Sequence, residues 1–597
     1  MGSSFGLYCP PESRLVVSGP HRRAETFTPL HLKIVPSITE FPYFLRESLL
    51  DSFDERAMGF EPGRFEGARD WLVGTVAALE AAHLSIGFDF ARIQDRASDL
   101  AARAHRLKTL PLIKRMAELH QLSLPLGNRE STDDSIAARC YEPKTWRRSC
   151  ERSYTRAAEN KLREIGFIER GGMLYCSDLA LQWYVGKMRA QVAWLKSRAV
   201  TDGAVQLPLF DVVQKSLSNK SNRRTELMTR MRGFEDYAKE AKTLLDGHDS
   251  EGLESTGHVA TFFTLTCPSR FHARTVIPGR GAVHNERYQG ATVREAQSWL
   301  STMWARSRSR LAKLQVTIYG FRIAEPHHDG TPHWHLVLFC APHHRGLVWA
   351  VLRSRWLSED GTEPGALARR ATAICVESAK GSATGYIAKY IAKNIDGFET
   401  GELTSDEDNK TTLQNAALRV TAWASIHGIR QFQQIGGPAI GPYRECRRVR
   451  NHCRLGTIEP LRQAADTHDF GRFIQLNGGI EAGRRGAIRP WTEKTGEINA
   501  YGEVRGPEVV GVMSVSEALQ TRTKQWRIVK CGTSSQDAWS GSPSASASPS
   551  GPGAAPGRNS ESDSALGPVS ITVPGAPALS DPFGWTNPNE TSTYGPH

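Results

Sequence analysis

Two strand-like runs on either side of one tight turn constrain this chain more than any other feature. Gln315-Val-Thr-Ile-Tyr-Gly-Phe-Arg-Ile-Ala-Glu and His333-Trp-His-Leu-Val-Leu-Phe-Cys are strand-like, and His327-His-Asp-Gly-Thr-Pro lies between them. Asp329-Gly330 is a strong hairpin signal, because such turns need a residue at positive φ. Upstream, His258-Val-Ala-Thr-Phe-Phe-Thr-Leu-Thr-Cys-Pro is rich in aromatic and β-branched residues and stops at Pro268, as a buried strand would. Helices are predicted over 293–314, 346–357 and 384–395. Strands, helix, hairpin and helices in this order predict an α+β domain with a mainly antiparallel sheet flanked by helices.

The segments around this domain read differently. From 41 to 242 the pattern is mostly helical, as in Asp70-Trp-Leu-Val-Gly-Thr-Val-Ala-Ala-Leu-Glu and in the runs 153–164, 179–195 and 224–242. From Thr533 to His597 the chain turns into Ser, Pro, Gly and Ala, which cannot bury enough apolar surface to order itself, so a disordered tail is expected. The expected division is a mainly helical N-terminal region over 1–250, with DNA binding as its guessed role, then the sheet domain over 251–455. A basic extension over 456–532 and the tail over 533–597 follow.

Charge narrows the partner. Among 597 residues, 75 Lys and Arg outnumber 63 Asp and Glu, for a net charge of +12. The tail holds one basic residue, Arg558, against five carboxylates, so the remainder is more basic still. That balance fits a partner bearing many phosphates better than a neutral small molecule. No apolar stretch of 18 residues is free of charge, which excludes a membrane span, and the amino terminus lacks the pattern of a secretory signal. The ten cysteines are scattered without a Cys-x-x-Cys pair, so free thiols in a reducing cytoplasm are expected. Cys446, His452 and Cys453 match no standard zinc-finger spacing. There is no phosphate-binding Gly-x-x-x-x-Gly-Lys-[Ser/Thr] loop, so strand separation would need supercoiling or a separate helicase.

The chemistry concentrates in two places. His333 and His335 are two residues apart in a strand, so both imidazoles point the same way and present two ligands for a divalent metal. Glu325, His327, His328 and Asp329 supply third-ligand candidates. A strict two-residue turn would set Glu325 opposite Trp334, facing away, and would suit His328. A bulge or longer loop would bring Glu325 round. Glu325 is preferred, since a carboxylate suits Mg2+ or Mn2+. The second place is Thr384-Gly-Tyr-Ile-Ala-Lys-Tyr-Ile-Ala-Lys-Asn, where Tyr386, Lys389, Tyr390 and Lys393 share one helix wedge and Ile387, Ile391 and Ile395 fall on the other. A phenol titrates near ~10 and is a poor nucleophile at neutral pH, and flanking lysines favour its phenolate. A metal on the histidine strand would stabilise charge on a scissile phosphodiester, and phenol attack would leave a phosphotyrosine bond. Arg444, Arg447, Arg448, Arg450 and Arg454, and the group Arg306, Arg308, Arg310 and Lys313, would give DNA phosphate contacts, with a solvated face as the equal alternative for either group alone. Trp334 and Tyr319 offer rings for an unpaired base, but burial against a flanking helix is the preferred expectation for each.

Glu325-Pro-His-His-Asp-Gly-Thr-Pro-His-Trp-His-Leu followed by Gly385-Tyr-Ile-Ala-Lys-Tyr-Ile-Ala-Lys-Asn closely resembles the bacteriophage replication gene A protein family. Those proteins are rolling-circle initiators of the HUH endonuclease superfamily, named for a histidine–hydrophobic–histidine motif, here His333-Trp334-His335. Phe263-Thr-Leu-Thr-Cys-Pro resembles the superfamily's first motif, and 423–438 also looks typical of the family without an assignable role. The resemblance covers roughly 140–450. It implies an HUH-type central antiparallel sheet, Tyr386 and Tyr390 as nucleophiles, and nicking of one strand at a phage origin. The protein would then hold the 5′ end while the free 3′-OH primes the host polymerase, in the cytoplasm of a bacterial host and with a host helicase. A plasmid relaxase or single-strand transposase is the competing enzyme reading, and a non-catalytic DNA-binding regulator the competing class.

Overall fold

The computed structural model describes residues 35–58, 63–124, 131–170, 172–241, 257–376, 382–395 and 413–532. At its centre lies a five-stranded antiparallel sheet made of β1 (Val259–Leu265), β2 (Tyr319–Pro326), β3 (Pro332–Cys340), β4 (Ala371–Cys375) and β5 (Phe432–Ile435), in the order β4-β1-β3-β2-β5. Every residue of β2 and β3 is buried, because helices cover both faces. The main helices around the sheet are α1 (Pro143–Glu164), α2 (Asp178–Lys196), α3 (Lys220–Glu240), α4 (Val293–Lys313), α5 (Arg345–Trp356), α6 (Ala383–Ile395) and α7 (Leu413–His427). The expected α+β class, with an antiparallel sheet preceded by a helical region, is what the chain adopts. The expected tail over 533–597 lies outside the described residues.

Local sequence explains the helix starts. Thr292 and Glu295 form a capping box at the head of α4, each side chain accepting from the other's backbone N–H. Ser177 caps α2 and Asn219 caps α3 through their side-chain oxygens. Along α4, Val293, Ala296, Trp299, Leu300, Met303, Trp304, Ser307 and Leu311 are buried, the three-and-four spacing of a core stripe.

Strand alternation sorts the two cores. On one face Phe263, Leu265, Ala324, Trp334, Leu336 and Leu338 pack under α2, α4, α5 and α7. On the other Phe262, Phe321, Ile323, Val337 and Phe339 pack with α3, with Ile387 and Ile391 of α6, and with the helices Ile458–Asp466 and Phe470–Leu476. Side chains from both sides of positions 250 and 455 therefore share these cores. The strand Arg527–Lys530 also returns to pair with Arg198–Thr201. Helix α1 links the sheet to two smaller cores formed with the helices Tyr43–Ala57, Arg64–Ala81 and Phe90–Leu107. No helix among the described residues is long and apolar enough to cross a membrane.

One local expectation is corrected and two open alternatives are decided. The second strand begins at Tyr319 rather than Gln315, which sits at φ 56° where a strand cannot continue. Trp334 is fully buried, its Nε1 donating to Gln297 at 3.1 Å, so it is closed to a base; Tyr319 is equally buried, with its hydroxyl 2.9 Å from His258 Nδ1. The turn is not a strict two-residue one. Pro326 pairs with Pro332, His327 N donates to the Thr331 carbonyl and Gly330 N to the His327 carbonyl. This is a three-residue loop with Gly330 at φ 78°, a turn followed by a left-handed residue. The extra residue shifts the register by one.

Candidate metal and tyrosine site

That shift puts Glu325 directly opposite His333 on the face shared with His335. The Nε2 atoms of His333 and His335 lie 2.9 Å apart, and Glu325 Oε2 lies 3.6 Å from His335 Nε2. Among the described residues these three form the one cluster of possible metal donors, with all three ligand atoms within 4.8 Å of one another. His327, His328 and Asp329 are not part of it. Thr264 on β1 faces His335, its hydroxyl 3.1 Å from Nδ1, which fixes the ring from behind. Burial, followed by the nearby His272, pushes His327 down to about 3, so it stands neutral beside His333 with ring centroids 4.1 Å apart. Two imidazole nitrogens and a carboxylate converging in a buried spot leave several lone pairs facing one another. This donor set fits a divalent cation.

Helix α6 brings the phenols to the same face. Ser382 Oγ accepts from Gly385 N, and Glu235 on α3 accepts from Thr384 N at 3.1 Å and Thr384 Oγ1 at 2.6 Å, so the helix start is tied to a neighbour. Ile387 and Ile391 enter the core. Tyr386 and Tyr390 are half-buried at its margin, on Phe262, with ring centroids 5.7 and 5.4 Å from it. The Tyr390 ring also lies against His335, tilted by 36° with centroids 4.3 Å apart. Burial first, then the charges of Glu325 and Tyr386, push the Tyr390 phenol up to about 12. The side chains of Lys389 and Lys393 lie outside the described residues.

Four of the predicted phosphate-binding arginines have protein partners. Arg444 forms two hydrogen bonds to Glu226, Arg448 pairs with Glu445 at 3.2 Å, and Arg447 meets His468 Nε2 at 2.9 Å. Arg450 lies 3.5 Å from Asp466 and is more than half exposed. Two residues central to the site's construction carried no readable signal of that role. Thr264 depends on a strand pairing that sequence does not reveal, and Arg163, buried at the end of α1, sits among many arginines. Asp329, weighed above as a ligand, is instead buried beside Arg163 at 3.6 Å. The 423–438 run also gains a structural role. Trp423 Nε1 donates to the Gly330 carbonyl at 2.8 Å, and β5 pairs with β2 to become the edge of the sheet.

Residues 125–398 match the family of bacteriophage replication gene A proteins, a span that holds the three donors and both tyrosines. Over that span the chain is similar to the family. Among its relatives, the probable replication protein P12 of Pseudoalteromonas phage PM2 is 36% identical over 397 residues, covering 65% of this chain and 58% of its own. The replication gene A protein of Escherichia phage P2 is 33% identical over 413 residues, covering 66% and 52%. A probable replication endonuclease from a prophage-like region of Salmonella paratyphi A is 30% identical over 502 residues, covering 78% and 60%. The chain thus spans between half and three-fifths of the length of these curated relatives. No solved structure matches it.

Proposed function

We propose that this chain is a site-specific single-strand DNA endonuclease that starts rolling-circle replication of a phage genome and rejoins the strand at termination. The observation that carries this reading is the contact of the Tyr390 ring with His335, on the sheet face where Glu325 and His333 converge. In the proposed step the Tyr390 oxygen bonds to the scissile phosphorus, the bond from phosphorus to the 3′ oxygen breaks, and the phenol's proton passes in net terms to that leaving oxygen. The products are a 5′-phosphotyrosine link and a free 3′-OH primer. The link conserves the energy of the broken phosphodiester, so rejoining needs no ATP. Glu325, His333 and His335 would hold the metal. A divalent ion, Mg2+ or Mn2+, when bound supplies positive charge to the phosphate oxygens and to the phenol as it ionises.

Tyr386, one helical turn away, supplies the second phenol, so that one tyrosine holds an end while the other cuts. Lys389 and Lys393 stabilise the phenolates, and Arg450 with its neighbours Arg444, Arg447 and Arg448 lines the approach of the DNA backbone. Host helicase and polymerase complete the reaction in the bacterial cytoplasm.

The test traps the intermediate. A labelled pool of random single-stranded oligonucleotides with Mn2+ should leave protein covalently attached to a 5′ end, and mass spectrometry should locate the nucleotide on the 386–390 peptide. Tyr390→Phe is expected to remove most of the adduct and Tyr390→Phe with Tyr386→Phe all of it. An intact pool would favour a DNA-binding regulator, and adduct persisting in the double variant would remove both tyrosines from the mechanism.

A further inference from the structure

The hairpin tip that carries no ligand is held by donors from three other segments of the chain. Loops of this kind usually lie exposed, yet Asp329 and Thr331 are fully buried. Three successive carbonyls of the loop are each taken by a donor from outside the hairpin. Tyr175 N reaches His328 O at 3.3 Å, Arg163 Nε reaches Asp329 O at 2.8 Å, and Trp423 Nε1 reaches Gly330 O at 2.8 Å. The Asp329 carboxylate closes the loop on itself, accepting from Thr331 N at 3.0 Å and Thr331 Oγ1 at 2.8 Å, and it also accepts from Ala273 N. Arg163 adds a 2.7 Å bond to Thr331 Oγ1 and further bonds to the carbonyls of Phe271 and Ala291. One guanidinium on α1 thus ties together the hairpin tip and the segments after β1 and before α4.

The loop needs such a clamp because its sequence also suits the shorter turn. Asp-Gly favours a two-residue hairpin, and a slip of one residue would carry Glu325 to the opposite face of the sheet. In that register the carbonyls of 328–330 would leave their three donors. We infer that Arg163 and Asp329 are positioning residues, whose buried pairing selects the three-residue loop and so turns Glu325 toward His333 and His335. The inference rests on the metal reading given above and goes beyond it, because it assigns the formation of the site to a residue on α1, far upstream of the ligands.

The test uses the full chain and Mn2+ alone, titrated by calorimetry, with the half-saturating Mn2+ for cleavage measured in parallel. Asp329→Asn is close in size but leaves Arg163 without its counter-charge and sets an amide N–H against a backbone N–H, of Thr331 or Ala273, that the carboxylate had accepted from. It is expected to weaken Mn2+ binding by about tenfold, in the range seen when residues supporting metal ligands are changed. Excess Mn2+ should then restore kcat, with KM for DNA unchanged. If that variant does not fold, Thr331→Val, which removes one acceptor of Arg163 without changing volume, carries the same test. Glu503→Gln, which alters a buried carboxylate paired with Arg139 and touching no residue of the hairpin, should lower stability without moving the Mn2+ midpoint. Wild-type Mn2+ binding with unshifted midpoints in both loop variants would overturn this inference alone. No Mn2+ binding by wild type would overturn the metal reading and the inference with it.

Discussion

Along β3 adjacent residues serve opposite ends. His333 and His335 face a half-open margin where two phenols approach, while Trp334 between them is fully buried under α4, with the Arg322 guanidinium 4.1 Å above its ring. The histidine face keeps polar groups that point at one another, namely Glu325, His333, His335 and Tyr390. On the tryptophan face Trp334 donates to Gln297 and Arg322 to the Arg430 carbonyl. A strand buried on both sides can thus hold a reactive cluster rigidly, because the alternate residues anchor it in a close-packed core.

The division is broken or sharpened first on the reactive side. Replacing His333 and His335 together by Ala is expected to lower Mn2+-dependent cleavage by about a thousandfold or more, the scale of losing charge stabilisation at a reacting centre. Affinity for single-stranded DNA, measured by anisotropy, should stay close to wild type, since phosphate contacts elsewhere supply it. Cleavage at the wild-type rate would show that the two imidazoles hold no catalytic ion.

On the other face the expected effect is on stability. Leu336 is fully buried and lies next to His335 in sequence but on the tryptophan side of the sheet. Leu336→Ala should cost about 2–5 kcal/mol in urea unfolding while the calorimetric Mn2+ midpoint stays where it is. A shifted midpoint would mean that the two faces are coupled through the strand and that their separation does not hold.

This contrast also explains how much could be read from the sequence. The His-x-His alternation and the wedge of tyrosines opposite isoleucines are local periodicities, and a single segment carries each. The choice between Glu325 and His328 was not local, for it turned on one extra residue in a loop held by Arg163 from α1. The arginines at 444–450 show the same boundary: their clustering signals positive charge, but the carboxylates of Glu226 and Asp466 that meet them come from other helices. The edge strands β4 and β5 are four or five residues long and gain their identity from the strands beside them, β1 and β2.

The smallest predicted effect comes from a titrating group on the packing side. Glu159 of α1 is buried, and its carboxylate accepts from Ser177 N at 2.8 Å and Ser177 Oγ at 2.6 Å. Burial pushes it up to about 7 from an ordinary value of 4.5, although the Ser177 bonds pull the other way. A carboxyl raised on folding binds its proton more tightly in the native state, so its contribution is full below about 4.5 and fades as the pH climbs to 7. Wild type should therefore lose stability relative to Glu159→Gln between about pH 5 and 8, by at most about 3 kcal/mol, as read from paired urea titrations. The pH profile of cleavage should be the same in both proteins, because this group touches neither the donors nor the phenols. A stability difference flat with pH would mean that Glu159 keeps its charge inside the fold, and a shifted cleavage profile would tie the packing side to the chemistry.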